Sequence, residues 1–123
     1  MYERILVGTD GSRTAAVAVD RAVELAKASG ARLTVLTAGA EVRALLTAES
    51  EVARHRDSGV SIEAKAVNGD PAAVLLDEAD RGGYDLLVMG NKGMTGVSRF
   101  LMGSVPNKVS HHANRTVLIV RTT

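Results

Sequence analysis

The sequence predicts a doubly wound α/β fold, a parallel sheet carrying helices on both faces. Two observations lead there. Short apolar runs of strand length alternate with segments of helical period along the whole chain, and turn-forming clusters separate them. The continuous apolar run Leu86-Leu87-Val88-Met89 between Asp85 and Gly90 has the pattern of a central parallel strand, buried on both faces. The chain of 123 residues has the size of one domain with one core, so residues 1–123 are expected to form a single domain.

Each element has its own signal. Arg4 to Thr9 holds Ile5, Leu6 and Val7 and runs into Gly8-Thr9-Asp10-Gly11-Ser12, a strand followed by a turn-rich exit. From Arg13 to Ser29, Ala15, Val19, Ala22, Val23 and Ala26 recur at helical spacing before Gly30, a residue suited to the left-handed helix end. Arg32 to Ala38 is the second strand. Glu41 to Ser58 is the second helix, with Val42, Leu45, Leu46, Val52 and Ala53 on one face. Val60 to Val67 alternates Ile62, Ala64 and Ala66 with polar neighbours, as a half-covered edge strand does. Asp70 before Pro71 reads as an N-cap with proline at the first helical position; Ala72, Leu75, Leu76 and Ala79 follow in period until Gly82-Gly83. After Asp85–Gly90 comes a glycine-rich segment, then a helix from Ser104 to Ala113 and a last strand from Thr116 to Arg121. The five strands require right-handed crossovers.

Composition narrows the function classes. Hydrophobic residues make up 46% and charged residues 24%, as in ordinary globular chains. Cysteine is absent, which excludes disulfides, thiolate catalysis and cysteine-ligated metal sites. No apolar run approaches the length of a membrane span and no leader pattern is visible, so a cytoplasmic protein without membrane partners is expected. The net charge is +1, yet Leu86 to Thr123 carries Lys92, Arg99, Lys108, Arg115 and Arg121 and no acidic residue. On charge alone, a small anionic partner and a chance surface bias are equal readings. Nucleic acid is not expected, because Tyr2, Tyr84 and Phe100 are the only aromatic residues and base stacking needs more.

Gly90, Gly93, Gly96 and Gly103 cluster between the end of the fourth strand and the start of a helix. Glycines at that place let backbone approach a phosphate, and the helix start at Gly103-Ser104 favours negative charge. Ser104 can either cap the helix or donate to phosphate, and Lys92 and Arg99 add charge. Neither G-x-x-x-x-G-K-[ST] nor G-x-G-x-x-G is present. The spacing is G-x2-G-x9-G-[ST], carried by Gly90, Gly93, Gly103 and Ser104.

That spacing resembles the adenine-nucleotide motif of the universal stress protein family. Ile5–Ser12, Asp85–Gly90, Gly103-Ser104-Val105 and Val117–Val120 are similar to the family's first strand and loop, fourth strand, last helix start and final strand. The resemblance implies a five-stranded parallel sheet of order 3-2-1-4-5, with its ligand at the switch point between strands one and four. It implies that Thr9, Asp10 and the backbone at Ala38 meet the adenosine side. Met89, Gly90, Lys92, Gly93, Gly103, Ser104 and Val105 would surround ribose and phosphates. Asp10 either helps place a nucleotide-bound Mg2+ or only holds loop amides. ATP is the first ligand implied, with AMP and cyclic AMP as alternatives. One departure is visible: Ala38-Gly39-Ala40 leads straight into Glu41, where the family carries a longer segment.

No catalytic set is apparent. His55, His111 and His112 do not form a metal pair, since adjacent helical residues diverge, and His111 and His112 suit a helix C-terminus. The C-terminal third lacks a carboxylate to act as general base. A binding and signalling module is therefore expected; a slow ATPase or nucleotidyl-transfer enzyme is the competing class. A phosphoacceptor receiver domain lacks its aspartate after strand three and its lysine after strand five. The apolar last strand, residues 116–121, has no proline or internal charge to blunt an edge, so a homodimer through it is expected.

Overall fold

The computed structural model describes residues 1–92 and 103–122. Five strands, β1 (Arg4–Gly8), β2 (Arg32–Ala38), β3 (Ile62–Val67), β4 (Leu86–Gly90) and β5 (Thr116–Val120), alternate with four helices. These are α1 (Arg13–Ser29), α2 (Glu41–Arg54), α3 (Pro71–Arg81) and α4 (Ser104–His112). All strand pairs are parallel, and the order is β3-β2-β1-β4-β5. Each strand passes to the next through a helix, as parallel pairing demands.

Alternation along the strands divides the core in two. Ile5, Val7, Leu33, Val35, Leu86 and Val88 pack under α1 and α2, while Leu6, Leu36, Leu87 and Met89 pack under α3 and α4. The central strands β1 and β4 are buried on both faces. The edge strand β3 instead buries Ile62 and Ala64 partly and exposes Glu63 and Lys65. Helix starts and stops follow local chemistry. Ser12 accepts the Ala15 N–H and Asp70 accepts the Ala73 N–H, both at 3.1 Å. Gly30 ends α1 at φ 69°, a left-handed conformation suited to glycine.

The second helix differs from its sequence pattern in two ways. It ends at Arg54 because the His55 N–H turns to the Val52 carbonyl at 3.0 Å, tightening the chain. Its buried face is Ala44, Ala48 and Glu51, while Val42, Leu45 and Leu46 are exposed. Ala48 on that face packs into the core, and polar contacts brace the end of the helix. Arg54 and His55 both reach Asp20 of α1, at 2.9 and 2.8 Å, and Arg54 also holds Glu51 at 2.7 Å. Several strand limits move by one or two residues. β1 stops at Gly8, where Thr9 begins the loop, although the Thr9 N–H still reaches the Leu36 carbonyl at 2.9 Å. β3 begins at Ile62, the first residue in register with β2. β4 starts at Leu86 because the Asp85 carboxylate instead accepts the Glu3 and Arg4 N–H groups at 2.9 and 3.1 Å. β5 stops at Val120, and α4 stops at His112 with Ala113 extended.

Candidate functional site: a cleft at the switch point of the sheet

The chain leaves β1 toward β2 on one side and reaches β4 on the other, so the ends of β1 and β4 diverge and leave a crevice between their loops. Gly8, Thr9, Asp10, Leu36 and Ala38 form one wall of a cleft there, and Met89, Gly90, Lys92 and Val105 form the other. Ala15, Pro71, Leu75 and Pro106 complete the lining.

The loop after β1 is held by its own side chains. Thr9 Oγ1 accepts the Gly11 N–H at 3.1 Å, and Asp10 Oδ1 accepts the Ser12 N–H at 2.9 Å. Gly11 is left-handed at φ 84°, and a Cβ on it would lie 2.9 Å from the Thr47 methyl of α2. The loop thus presents Asp10 outward with one oxygen committed to backbone. Ala38 closes β2, and the next residue, Gly39, donates its N–H to the Val67 carbonyl at 3.0 Å.

On the opposite wall Met89 and Lys92 are buried and Gly90 is half-buried. Asn91 extends the ladder beyond β4: its N–H donates to the Val120 carbonyl at 2.9 Å and its own carbonyl accepts the Gly103 N–H at 2.8 Å. Gly103 is the N-cap of α4, with no side chain capping that helix. The Gly103 carbonyl accepts the Asn107 N–H at 3.1 Å, as the Ser12 and Asp70 carbonyls accept their counterparts in α1 and α3, but glycine brings no side-chain acceptor for the first turn as Ser12 and Asp70 do. Ser104 occupies the first helical position, so it is not the cap; it is exposed beside Val105.

Of the ten residues the resemblance assigns to the site, Thr9, Asp10, Ala38, Met89, Gly90, Lys92 and Val105 line this one cleft. Gly103 and Ser104 adjoin it at the start of α4. Gly93 lies outside the described residues, as do Gly96 and Arg99. Arg115 serves structure rather than an anion, donating to Asp80 at 2.6 Å and to the Tyr84 carbonyl. Sequence reasoning missed Gly8, Ala15, Leu36, Pro71, Leu75 and Pro106. Ala15 and Leu75 were visible only on the apolar faces of helices and Pro71 only as a helix start, and an apolar pattern does not separate a core side chain from one at a cleft wall.

A resident metal has little to hold it. Among the described residues no group of three or more His, Cys, Asp or Glu converges, and Asp10 is the only carboxylate lining the cleft. A single carboxylate suits a cation arriving on a ligand's phosphates, which itself supplies oxygen ligands. His111 and His112 lie in the last turn of α4, and His55 pairs with Asp20.

Known proteins carry the same organisation. The model of the universal stress protein family matches residues 1–48 and 37–121. The two parts meet where β2 passes to α2, at the short connection through Gly39 and Ala40. Universal stress protein YxiE of Bacillus subtilis is 32% identical over 148 residues, covering 98% of this chain and 100% of that protein. Universal stress protein Rv1636 of Mycobacterium tuberculosis is 34% identical, covering 99% of this chain and 98% of that protein. Among solved structures, a universal stress protein in complex with cAMP superposes with a TM-score of 0.86 at 38% identity, covering 99% of this chain and 98% of that one. The Archaeoglobus fulgidus universal stress protein in complex with dAMP gives 0.77 at 25% identity, covering 98% of each. With its whole length matched and the same sheet order, the chain belongs to the universal stress protein family.

Proposed function

We propose that the protein binds an adenine nucleotide in the cleft between the ends of β1 and β4, acting as a binding and signalling module. The observation that carries this reading is the convergence of Thr9, Asp10, Ala38, Met89, Gly90, Lys92 and Val105 on one cleft. The apolar side, with Leu36, Ala38 and Leu75, suits a purine. The side with Gly90, Lys92 and the start of α4, whose N-cap is glycine, suits phosphate. On this reading Ser104 donates to a phosphate oxygen and Asp10 takes one position on a nucleotide-bound Mg2+.

ATP is the first ligand, as implied by the resemblance of the Gly90, Gly93, Gly103 and Ser104 spacing to the family's adenine-nucleotide motif. A monophosphate is the second reading, favoured by the cAMP and dAMP complexes of the two similar structures and by the short connection after Ala38. Hydrolysis is slow on this reading. Asp10 is the only carboxylate in the described lining, and one of its oxygens accepts the Ser12 N–H. Calorimetric titration with ATP, AMP, cyclic AMP and GTP is the test. Saturable binding of an adenine ligand supports the proposal, and silence from all three adenine ligands with folded protein refutes it.

A homodimer through β5 belongs to the same proposal. β5 is an edge strand whose Val117, Leu118 and Ile119 remain half-buried. Antiparallel pairing with a second copy would occupy its open backbone groups and give an isologous contact.

A further inference from the structure

We infer that Asn91 and Thr122 are positioning residues for the nucleotide cleft, a strut through which the end of β5 sets the phosphate wall. The inference rests on the adenine-nucleotide reading above and names two residues that neither the family motif nor the cleft lining contains. Asn91 makes four hydrogen bonds to three residues, two at the end of β5 and one at the start of α4. Its main chain joins Val120 and Gly103, at 2.9 and 2.8 Å. Its Oδ1 accepts both the N–H and the Oγ1 hydroxyl of Thr122, each at 2.9 Å.

The residues on either side of Asn91, Gly90 and Lys92, line the cleft, whereas Asn91 and Thr122 do not. The strut therefore acts from behind the wall. Thr122 closes against it as well: a Cβ built on Gly90 would lie 3.3 Å from the Thr122 methyl. Val120 and Gly103 are seventeen residues apart in sequence, yet both are tied to Asn91. The spacing between the turn after β4 and the start of α4 is thus fixed before any ligand arrives. A site with that spacing preset does not spend binding free energy on ordering it.

Linkage makes the idea testable apart from simple stability. If the strut orders the phosphate wall, a bound nucleotide must in turn strengthen the strut. Hydrogen exchange at the Thr122 N–H, which ends on Asn91 Oδ1, reads this directly. The experiment titrates ATP and cyclic AMP into the unmodified protein, Asn91→Ala, Thr122→Val and Thr122→Ser, with thermal unfolding followed in parallel. Each net hydrogen bond lost should weaken binding about threefold to tenfold. Asn91→Ala and Thr122→Val are expected to lose affinity, Thr122→Ser to bind like the unmodified protein, and nucleotide to slow Thr122 exchange.

Thr122→Val and Asn91→Ala binding as tightly as the unmodified protein would overturn the inference while leaving the nucleotide reading intact. Equal losses in the Val and Ser variants would also overturn it, because the hydroxyl would not be responsible. Thr122 exchange that ignores saturating nucleotide would do the same. Should Asn91→Ala fail to fold, the Val and Ser pair decides alone. An unmodified protein that binds no adenine nucleotide removes the functional reading itself, an outcome distinct from all of these.

Discussion

Gly8 offers a quantitative check on how tightly the cleft is built. A Cβ at Gly8 would lie 2.9 Å from both terminal carbons of Leu75 and 3.4 Å from its Cγ. Exchanging the two methyl positions does not relieve that contact, so Leu75, itself buried, must shift as a body. Overpacking of this kind costs about 1–3 kcal/mol, offset by about 0.5–1 kcal/mol from replacing a flexible strand glycine. Gly8→Ala should therefore destabilise the fold by about 1–2 kcal/mol, lowering Tm by about 4–8 °C. Because Gly8 and Leu75 both line the cleft, nucleotide affinity should fall with it. Leu75→Ala alone should cost about 2–5 kcal/mol through the cavity it leaves. In the double variant the new methyl enters part of that cavity, so the two costs should fall short of their sum by about 1 kcal/mol or more. Urea unfolding of the four proteins measures the cycle. Additivity within about 0.5 kcal/mol would show that Gly8 and Leu75 are not in the contact described.

Other expectations concern the polar network, the titration of Lys65, the dimer and turnover. Tyr84 is buried and donates to Thr34 Oγ1 at 2.9 Å, so Tyr84→Phe should cost about 1 kcal/mol in urea unfolding and leave nucleotide titration unchanged, since Tyr84 is no part of the cleft. Lys65 donates to Glu78 at 2.9 Å, and that hydrogen bond raises its pKa above the ordinary 10.5. A raised lysine stabilises the fold fully below 10.5 and loses that contribution as pH climbs through the folded value; Glu78→Gln, which removes the largest of the causes, should flatten this alkaline slope in pH-dependent unfolding. Light scattering should report about twice the 12.9 kDa chain mass, and Leu118→Arg should return it to the monomer value. A folded unmodified protein that runs as a monomer would refute the β5 interface. ATP turnover should stay far below the roughly 10 per second of a median enzyme, measured by phosphate release.

Much of the fold was legible because local chemistry and tertiary need agree. Leu86–Met89 reads as a central strand since burial on both faces demands a continuous apolar run, and Asp70-Pro71 starts α3 where an N-cap and a missing N–H belong. The glycines between Gly90 and Gly103 carry the expectation of a phosphate-type loop, because backbone approach needs residues without Cβ; Gly93 and Gly96 lie outside the described residues. The second helix shows the limit. Val42, Leu45 and Leu46 form an apolar stripe by sequence, but the face that packs carries Ala44 and Ala48, and Asp20 on another helix gathers Arg54 and His55 at the helix end. No periodicity within α2 contains that information. The last helix starts at Ser104 as its sequence suggests, but the cap is Gly103, whose N–H is tied to the Asn91 carbonyl, so Ser104 does not serve as the cap.

Sequence alone determined the strand and helix order and, through the spacing of Gly90, Gly103 and Ser104, the end of the sheet at which to look for a ligand. Those are properties of neighbours along the chain, where backbone conformation and hydrophobic period act. Tertiary structure decided which side chains meet: Leu75 and Pro71 of α3 facing Gly8, Arg115 drawn to Asp80, and Asn91 holding Thr122. Such pairings depend on how the helices sit on the twisted sheet, a rotation of each element set by contacts between residues far apart in sequence. Nothing in the local pattern around Asn91 marks it as the residue that joins β4, β5 and α4; that role exists only once the three are brought together.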